Sequence, residues 1–102
     1  MSQPNYESKW WGYIYDQMMA EQPELVEAIS RFYHTNLEDV SGPVLECACG
    51  TGLMLLPLLA DGRDMYGFDI SKSMLATLKS KAALKRAMPR KRSAQQALLA
   101  TI

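Results

Sequence analysis

This sequence has few of the residues that mark disulfide-rich, metal-binding or membrane-spanning proteins. Its 102 residues include two cysteines and one histidine, which exclude a disulfide framework and fall short of the ligands of a zinc site. No apolar run approaches the roughly 18 residues of a transmembrane helix. Residues 1–7 lack the basic start and apolar stretch of a secretory signal. We therefore expect a cytoplasmic protein with no metal site and no membrane partner.

Acidic side chains are also absent from the last third of the chain. Residues 1–71 hold all 11 acidic side chains and three basic ones, a net charge of −8. Residues 72–102 hold eight basic side chains and no acidic one, a net charge of +8. The basic segment could bind nucleic acid, pack against an acidic surface of this chain or a neighbour, or lie outside the natural fold. Because few aromatic residues are interleaved with the basic ones, nucleic acid is the less favoured partner.

Hydrophobic periodicity predicts two amphipathic helices in residues 1–40, which we interpret as an N-terminal helical lid. Apolar residues recur in pairs every four positions, which predicts a helix over residues 9–20. Pro23 suits the first position of a second helix, over residues 23–37, in which the same spacing continues.

A different pattern begins at residue 44. Short apolar runs at residues 44–49 and 65–70 predict strands, the first of them buried on both faces. The segment between them, residues 53–60, is apolar all round and predicts a buried helix that Pro57 should bend. Because the connection is strand–helix–strand, we expect a right-handed parallel unit with its ligand site at the carboxyl ends of the strands.

One more helix completes this unit. Ser71 suits its N-cap, and the helix should end near Met88. Residues 41–88 therefore predict an α/β unit, followed by a basic tail over residues 89–102. Within the tail, residues 94–102 could form a short helix, and we expect no third strand with an acidic end.

Two glycines and two carboxylates form the most informative constellation. Gly50 and Gly52 follow the first strand, where they permit a tight turn and close approach of a ligand to the backbone. Asp69 ends the next strand and can accept hydrogen bonds from both hydroxyls of a ribose, while Glu46 suits a cationic ligand. Leu55 stands where a dinucleotide-binding turn has its third glycine, which disfavours a pyrophosphate. A nucleoside-containing cofactor fits; the alternatives are an ordinary strand-to-helix turn and, for Asp69, a helix-capping role.

Two segments resemble the first two motifs of class I S-adenosylmethionine-dependent methyltransferases. They read Val44-Leu45-Glu46-Cys47-Ala48-Cys49-Gly50-Thr51-Gly52 and Gly67-Phe68-Asp69-Ile70-Ser71-Lys72-Ser73-Met74-Leu75. The resemblance covers about residues 44–83. The helical stretch with Trp11, Tyr15, Asp16 and Met18 is also similar to the lid helices of members that act on small molecules. It implies a partial Rossmann-like methyltransferase fold, S-adenosyl-L-methionine as cofactor and a small-molecule methyl acceptor.

The resemblance also implies a role for each part of the site. The turn at residues 49–52 would pack against the methionine part of the cofactor, with Glu46 near its ammonium group and Asp69 on the ribose hydroxyls. Ile70 would cover a face of the adenine, with Met74 nearby. No catalytic base is implied. The expected cofactor-binding residues are Trp11, Tyr15, Glu46, Ala48, Cys49, Gly50, Thr51, Gly52, Asp69, Ile70, Ser71 and Met74.

The same resemblance implies that the domain is incomplete. Family members have further strands, so we expect a truncation, or a change of reading frame, after about residue 84. The first strand would then have an unpaired edge, which predicts a homo-oligomer through residues 44–60. Two other functions stay open: a non-catalytic nucleoside-binding or oligomerising module, and nucleic-acid binding through the basic C-terminal segment.

Overall fold

The computed structural model describes residues 10–86 and 98–101. In chain order, these residues form α1 (Trp11–Ala20), α2 (Pro23–Leu37), β1 (Val44–Cys47), α3 (Leu55–Ala60), β2 (Met65–Asp69), α4 (Lys72–Arg86) and β3 (Leu98–Thr101). The α/β class is confirmed. The four helices and two strands predicted up to the end of α4 are all present, and their bounds differ from the predicted ones by no more than two residues.

The sheet has three parallel strands in the order β1-β2-β3. β1 pairs with β2 from Val44 opposite Met65, and β2 pairs with β3 from Tyr66 opposite Leu98. The expectation of a helix over the residues of β3 is therefore wrong, and the sheet has a third strand that was not predicted. This strand ends at Thr101 and has no acidic end, as expected. Local sequence is a weak guide for so short an apolar segment, and the free backbone groups along the edge of β2 decide its conformation.

The hydrophobic core lies on one face of this sheet. Both α3 and α4 pack there, because two right-handed crossovers that move in one direction across a sheet place their helices on the same side. Leu55 and Met65 are fully buried, and Leu58, Leu75 and Leu78 are at most 2% exposed. The core therefore fixes the two helices that follow the strands, and with them the loops at the strand ends.

The opposite face of the sheet is open in the described part of the chain. Side chains alternate along a strand, and burial along β1 alternates with them. Val44 and Glu46 are half-buried, whereas Leu45 is 59% exposed and Cys47 is also exposed. The prediction that this strand is buried on both faces is therefore wrong, because both crossover helices lie on the same side.

Two predicted helix signals have clear outcomes. The Ser71 hydroxyl accepts a hydrogen bond of 3.2 Å from the Met74 N–H, which confirms the N-cap of α4. α3 begins at Leu55, later than expected, so Pro57 lies in the first helical turn. The N–H groups of Leu56 and Leu58 bond to the carbonyls of Gly52 and Met54, at 3.0 and 3.3 Å, whereas Pro57 has no N–H to bond to the carbonyl of Leu53. Pro57 therefore interrupts the first turn and delays the start of α3.

α1 and α2 are attached to this core by smaller contacts. α1 packs on α4, and α2 contributes only the half-buried Tyr33 and Leu37 to the core. The Arg63 guanidinium holds the end of α2 by donating to the carbonyls of Leu37, at 2.6 Å, and Val40, at 3.1 Å. None of the helices in the described ranges is long and apolar enough to cross a membrane.

Candidate functional site

The candidate site begins at the turn that follows β1. Ala48, Gly50 and Gly52 have left-handed backbone conformations, with φ of 56°, 58° and 83°. At Gly52 a side chain is disfavoured twice, because its φ is positive and an added Cβ would lie 2.9 Å from Leu78 Cγ. Ala48 pays about 1–2 kcal/mol for its conformation. Strain of this kind concentrates at functional sites, which makes the turn a candidate site.

Asp69 holds this turn from the end of β2. Its Oδ2 accepts a hydrogen bond of 2.8 Å from the Gly50 N–H, and its Oδ1 accepts one of 2.8 Å from the Ser71 N–H. The side chain is buried, at 9% exposure. A carboxylate has about four lone-pair positions, so each oxygen keeps capacity for a further donor. Asp69 thus has the capping role that was considered as an alternative, and its carboxylate can still accept hydrogen bonds from a ligand.

Glu46 and Tyr33 form a pair on the opposite side of the turn. The Tyr33 hydroxyl donates to Glu46 Oε2 at 2.7 Å. Glu46 Oε1 is buried and has no hydrogen-bond partner among the described residues. Burial raises the pKa of Glu46, and the hydrogen bond from Tyr33 opposes that effect. Burial, followed by the bond to Glu46, raises the pKa of Tyr33 to about 12. The free oxygen of Glu46 therefore calls for a donor from outside the described residues.

A cavity of about 260 Å³ lies between the turn, α1 and α2. Eight of the predicted cofactor-binding residues line it: Tyr15, Glu46, Ala48, Cys49, Gly50, Thr51, Asp69 and Met74. Among the described residues, no lysine or arginine lines the cavity, whereas two carboxylates do. This distribution favours a ligand that carries positive charge or hydrogen-bond donors.

Four predicted residues do not line this cavity. Gly52 and Ser71 are buried in the connections to α3 and α4, where they shape the backbone. Trp11 is half-buried at the start of α1. Ile70 is 73% exposed directly after Asp69, so its side chain offers an open apolar surface next to the cavity. Their roles toward a cofactor stay predictions.

Six lining residues were absent from the prediction. They are Met19, Val26, Ile29, Tyr33, Leu53 and Met54. Within α2, the three at positions 26, 29 and 33 have helical spacing, so one face of α2 forms a wall of the cavity. Their spacing is visible in the sequence, but it indicates only that this face is covered, and it does not distinguish a core from a ligand.

Two further groups in the cavity keep their protons at neutral pH. Burial raises the pKa of the Cys49 thiol to about 11, and the nearby charges of Glu46 and Asp69 add to this effect. Burial also raises the pKa of Tyr15, with smaller contributions from Asp16 and Glu46. The negative charge of the cavity is therefore carried by carboxylates, and the phenol and thiol remain neutral.

The sequence matches a family model described as "Methyltransferase domain" over residues 44–100. The chain belongs to this methyltransferase family. The match includes both strands and the turn of the candidate site. It also continues past residue 83, so the expectation that the family resemblance ends there is wrong.

Individual methyltransferases agree with this assignment. The chain is 35% identical over 75 residues to an uncharacterized methyltransferase of Bacillus cytotoxicus, which covers 70% of this chain and 35% of the relative. It is 30% identical to the glycopeptide N-methyltransferase MtfA complexed with S-adenosyl-L-methionine, with a TM-score of 0.57 over 71% of this chain and 30% of MtfA. The magnesium protoporphyrin IX methyltransferase ChlM from Synechocystis shares the fold, with a TM-score of 0.61 and 20% identity over 100% of this chain and 43% of ChlM.

These matches confirm the partial Rossmann-like fold. This methyltransferase chain spans about a third of the length of the curated relative it matches, at 35%.

Proposed function

We propose that this methyltransferase chain binds S-adenosyl-L-methionine and orients it toward a small-molecule methyl acceptor. One observation carries the proposal: the buried Glu46 Oε1 lacks a partner among the described residues, and Glu46 lines the cavity. A buried carboxylate oxygen without a partner is costly, and the ammonium group of the cofactor would supply the missing donor. The likeness to MtfA, whose structure holds S-adenosyl-L-methionine, supports this choice of ligand.

The remaining site residues fit the same ligand. Asp69 retains lone pairs for the ribose hydroxyls, and the turn at Gly50 brings the backbone close to the methionine part. The cavity, at about 260 Å³, is smaller than the roughly 300–1,000 Å³ that encloses a drug-sized ligand. We therefore assign the methionine end to the cavity and the adenine to the open surface at Ile70. When bound, the cofactor supplies a methyl group activated by its sulfonium, so these residues contribute orientation.

The helical wall of the cavity favours a compact acceptor. Met19, Val26 and Ile29 make this wall apolar, and Tyr15 adds a neutral phenol. A ligand with a negative charge would lie near Glu46, and the described part of the lining has no cation to pair with it. An uncharged or cationic small molecule suits these walls, and the activity of MtfA as an N-methyltransferase is in line with an amine.

Titration calorimetry with S-adenosylhomocysteine tests the cofactor assignment. We expect Asp69→Ala to remove most of the affinity and Glu46→Gln to weaken it about tenfold or more, because a hydrogen bond to a charged group is lost. The affinity should also fall as the pH drops through the raised pKa of Glu46, since protonation removes its charge.

Matched controls come from the exposed segment after α2. Glu38→Gln and Asp39→Ala remove carboxylates of the same kind at exposed positions and should leave the affinity unchanged. Equal binding by wild type and both site variants would show that Glu46 and Asp69 do not hold the cofactor. Transfer of a labelled methyl group to an amine would then separate a catalyst from a binding module.

A second candidate function is assembly through β1. Its outer edge has no partner strand among the described strands, and Leu45 beside it is 59% exposed. Unpaired strand edges readily accept a further strand, and the opposite charges of residues 1–71 and 72–102 favour contact between two copies. We infer that a second copy covers this edge.

Light scattering at micromolar concentration tests this candidate. The wild type should be a dimer or larger, and Leu45→Lys should shift it toward a monomer. A compact wild-type monomer would contradict it.

The run Arg90-Lys91-Arg92, on which nucleic-acid binding depended, lies outside the described residues. The truncation and the cytoplasmic location stay predictions.

A further inference from the structure

Asp16 joins three separate parts of the molecule. It lies on α1, and its Oδ1 accepts a hydrogen bond of 2.6 Å from the hydroxyl of Thr51 in the turn after β1. Its Oδ2 accepts one of 2.9 Å from the Lys81 ammonium on α4. The side chain is only 21% exposed, and that of Lys81 is 30% exposed. One carboxylate thus connects the lid helix, the cofactor turn and the helix that follows β2.

The same face of α1 makes close contact with α4. The Gly12 N–H, one helical turn before Asp16, donates to Ser73 Oγ at 3.2 Å. A Cβ atom at Gly12 would overlap Thr77, whose Cβ would be 2.8 Å away. Ser73, Thr77 and Lys81 recur at intervals of four residues, so they form one stripe along α4. α1 is therefore held by a continuous line of contacts that ends at Asp16.

The neighbouring face of α1 forms part of the cavity. Tyr15 and Met19 line it, and both are adjacent to the face that carries Gly12 and Asp16. The position of these two side chains therefore depends on how α1 is docked. The Asp16 charge also contributes, after burial, to the raised pKa of Tyr15, which is evidence that the carboxylate and the phenol are close.

We propose that Asp16 is a positioning residue, which through Thr51 sets α1 against the cofactor turn so that Tyr15 and Met19 complete the cavity. The Thr51 hydroxyl donates its hydrogen bond to Asp16 on α1, so Thr51 contributes to the site by holding α1 in place. The Lys81 ammonium donates to the other carboxylate oxygen and so fixes the orientation of the Asp16 side chain. The effect on ligand affinity rests on the proposed function, whereas the docking of α1 does not.

Tryptophan fluorescence measures this docking directly, because both tryptophans of the chain, Trp10 and Trp11, lie at the start of α1. We expect Asp16→Ala and Thr51→Val to shift the emission to longer wavelength and to increase quenching by acrylamide. Alanine is a better helix former than aspartate, so circular dichroism should show that α1 itself has not unfolded. Thr51→Ser keeps a hydroxyl and should behave as the wild type.

Affinity for S-adenosylhomocysteine provides the second readout. Asp16→Ala and Thr51→Val should each weaken it about tenfold, as expected when one hydrogen bond to a charged group is removed. The double variant should be no weaker than Asp16→Ala alone, because that substitution already removes the bond to Thr51 together with the one to Lys81. Asp39→Ala, at an exposed position, is the matched control.

The outcomes separate this inference from the proposed function. If both variants keep wild-type quenching, Asp16 does not hold α1 and the inference is overturned. A second outcome is that quenching increases while the variants bind S-adenosylhomocysteine as tightly as the wild type does. Asp16 then docks α1 without positioning the site, which also overturns the inference. If the wild type does not bind S-adenosylhomocysteine, the proposed function fails, and the fluorescence of the variants still decides whether Asp16 docks α1.

Discussion

The two sides of the cavity are built by different forces. The sheet side rests on a dry core, in which Leu55 and Met65 are fully buried. The helical side has much less buried apolar surface. No residue of α2 is fully buried, and Phe32 on α2 is 66% exposed. It is held instead by polar contacts, from Asp16 to Thr51 and from Tyr33 to Glu46. The turn after β1 is thus part of the stable core, whereas α1 and α2 are attached to it through the candidate site.

The largest expected effect comes from a matched pair of leucines. Leu58→Ala should lower the free energy of unfolding by about 2–5 kcal/mol, because it leaves a cavity at a side chain that is 1% exposed. Leu25→Ala, on α2, makes the same chemical change at a side chain that is 45% exposed and should cost less than about 1 kcal/mol. Urea unfolding measures both. Equal losses would mean that α2 belongs to the core as fully as α3 does.

An intermediate effect is expected where α1 meets α4. Gly12→Ala should destabilise by about 1–2 kcal/mol, because the overlap with Thr77 outweighs the gain of about 1 kcal/mol in helix propensity. The sign of the change is the informative quantity in urea unfolding. A stabilising Gly12→Ala would contradict the close docking of α1. Adding Thr77→Ala should recover part of the loss, since it removes the overlapping hydroxyl.

The smallest effect concerns pH. The pKa of Tyr33 is raised to about 12 in the folded protein, by burial first and by Glu46 second. The folded state therefore binds this proton more tightly than the unfolded state does. Its contribution to stability is complete below the ordinary pKa of about 10 and is lost as the pH rises from there to about 12.

Urea unfolding over this pH range measures the contribution of Tyr33. Tyr33→Phe should flatten the dependence, whereas Tyr13→Phe, at a side chain that is 59% exposed, should not. A pH dependence that is the same in all three proteins would show that the Tyr33–Glu46 pair does not couple the lid to the site.

Local patterns predicted most of the fold. Helical spacing located α1 and α2, and the change of period at residue 44 located β1. Ser71 correctly marked the start of α4. These signals succeed because caps, turns and amphipathic faces involve residues that are close in sequence. The apolar run of β1 was misleading on burial, because a run of this kind does not reveal that both crossover helices pack on the same face.

The candidate site was predicted in part. Glu46, Gly50 and Asp69 lie around one cavity because the strand–helix–strand connection brings the ends of both strands together. The contact of Tyr33 with Glu46 was missed, and Asp16 was noted only as part of the stretch that resembles the lid helices. They meet the site across 13 and 35 residues of sequence, and nothing in their local surroundings distinguishes them from other residues on a helix surface.

The sequence by itself determined the glycine turn, the two carboxylates at the strand ends and the family that they indicate, because each follows from spacing within one strand–helix–strand unit. Only the tertiary structure decided that Leu45 is exposed, that residues 98–101 form a strand, and that α1 docks through Asp16. Each of these depends on which surfaces meet after the chain has folded. That choice is made by packing and by hydrogen-bond partners distant in sequence, and no local pattern encodes it.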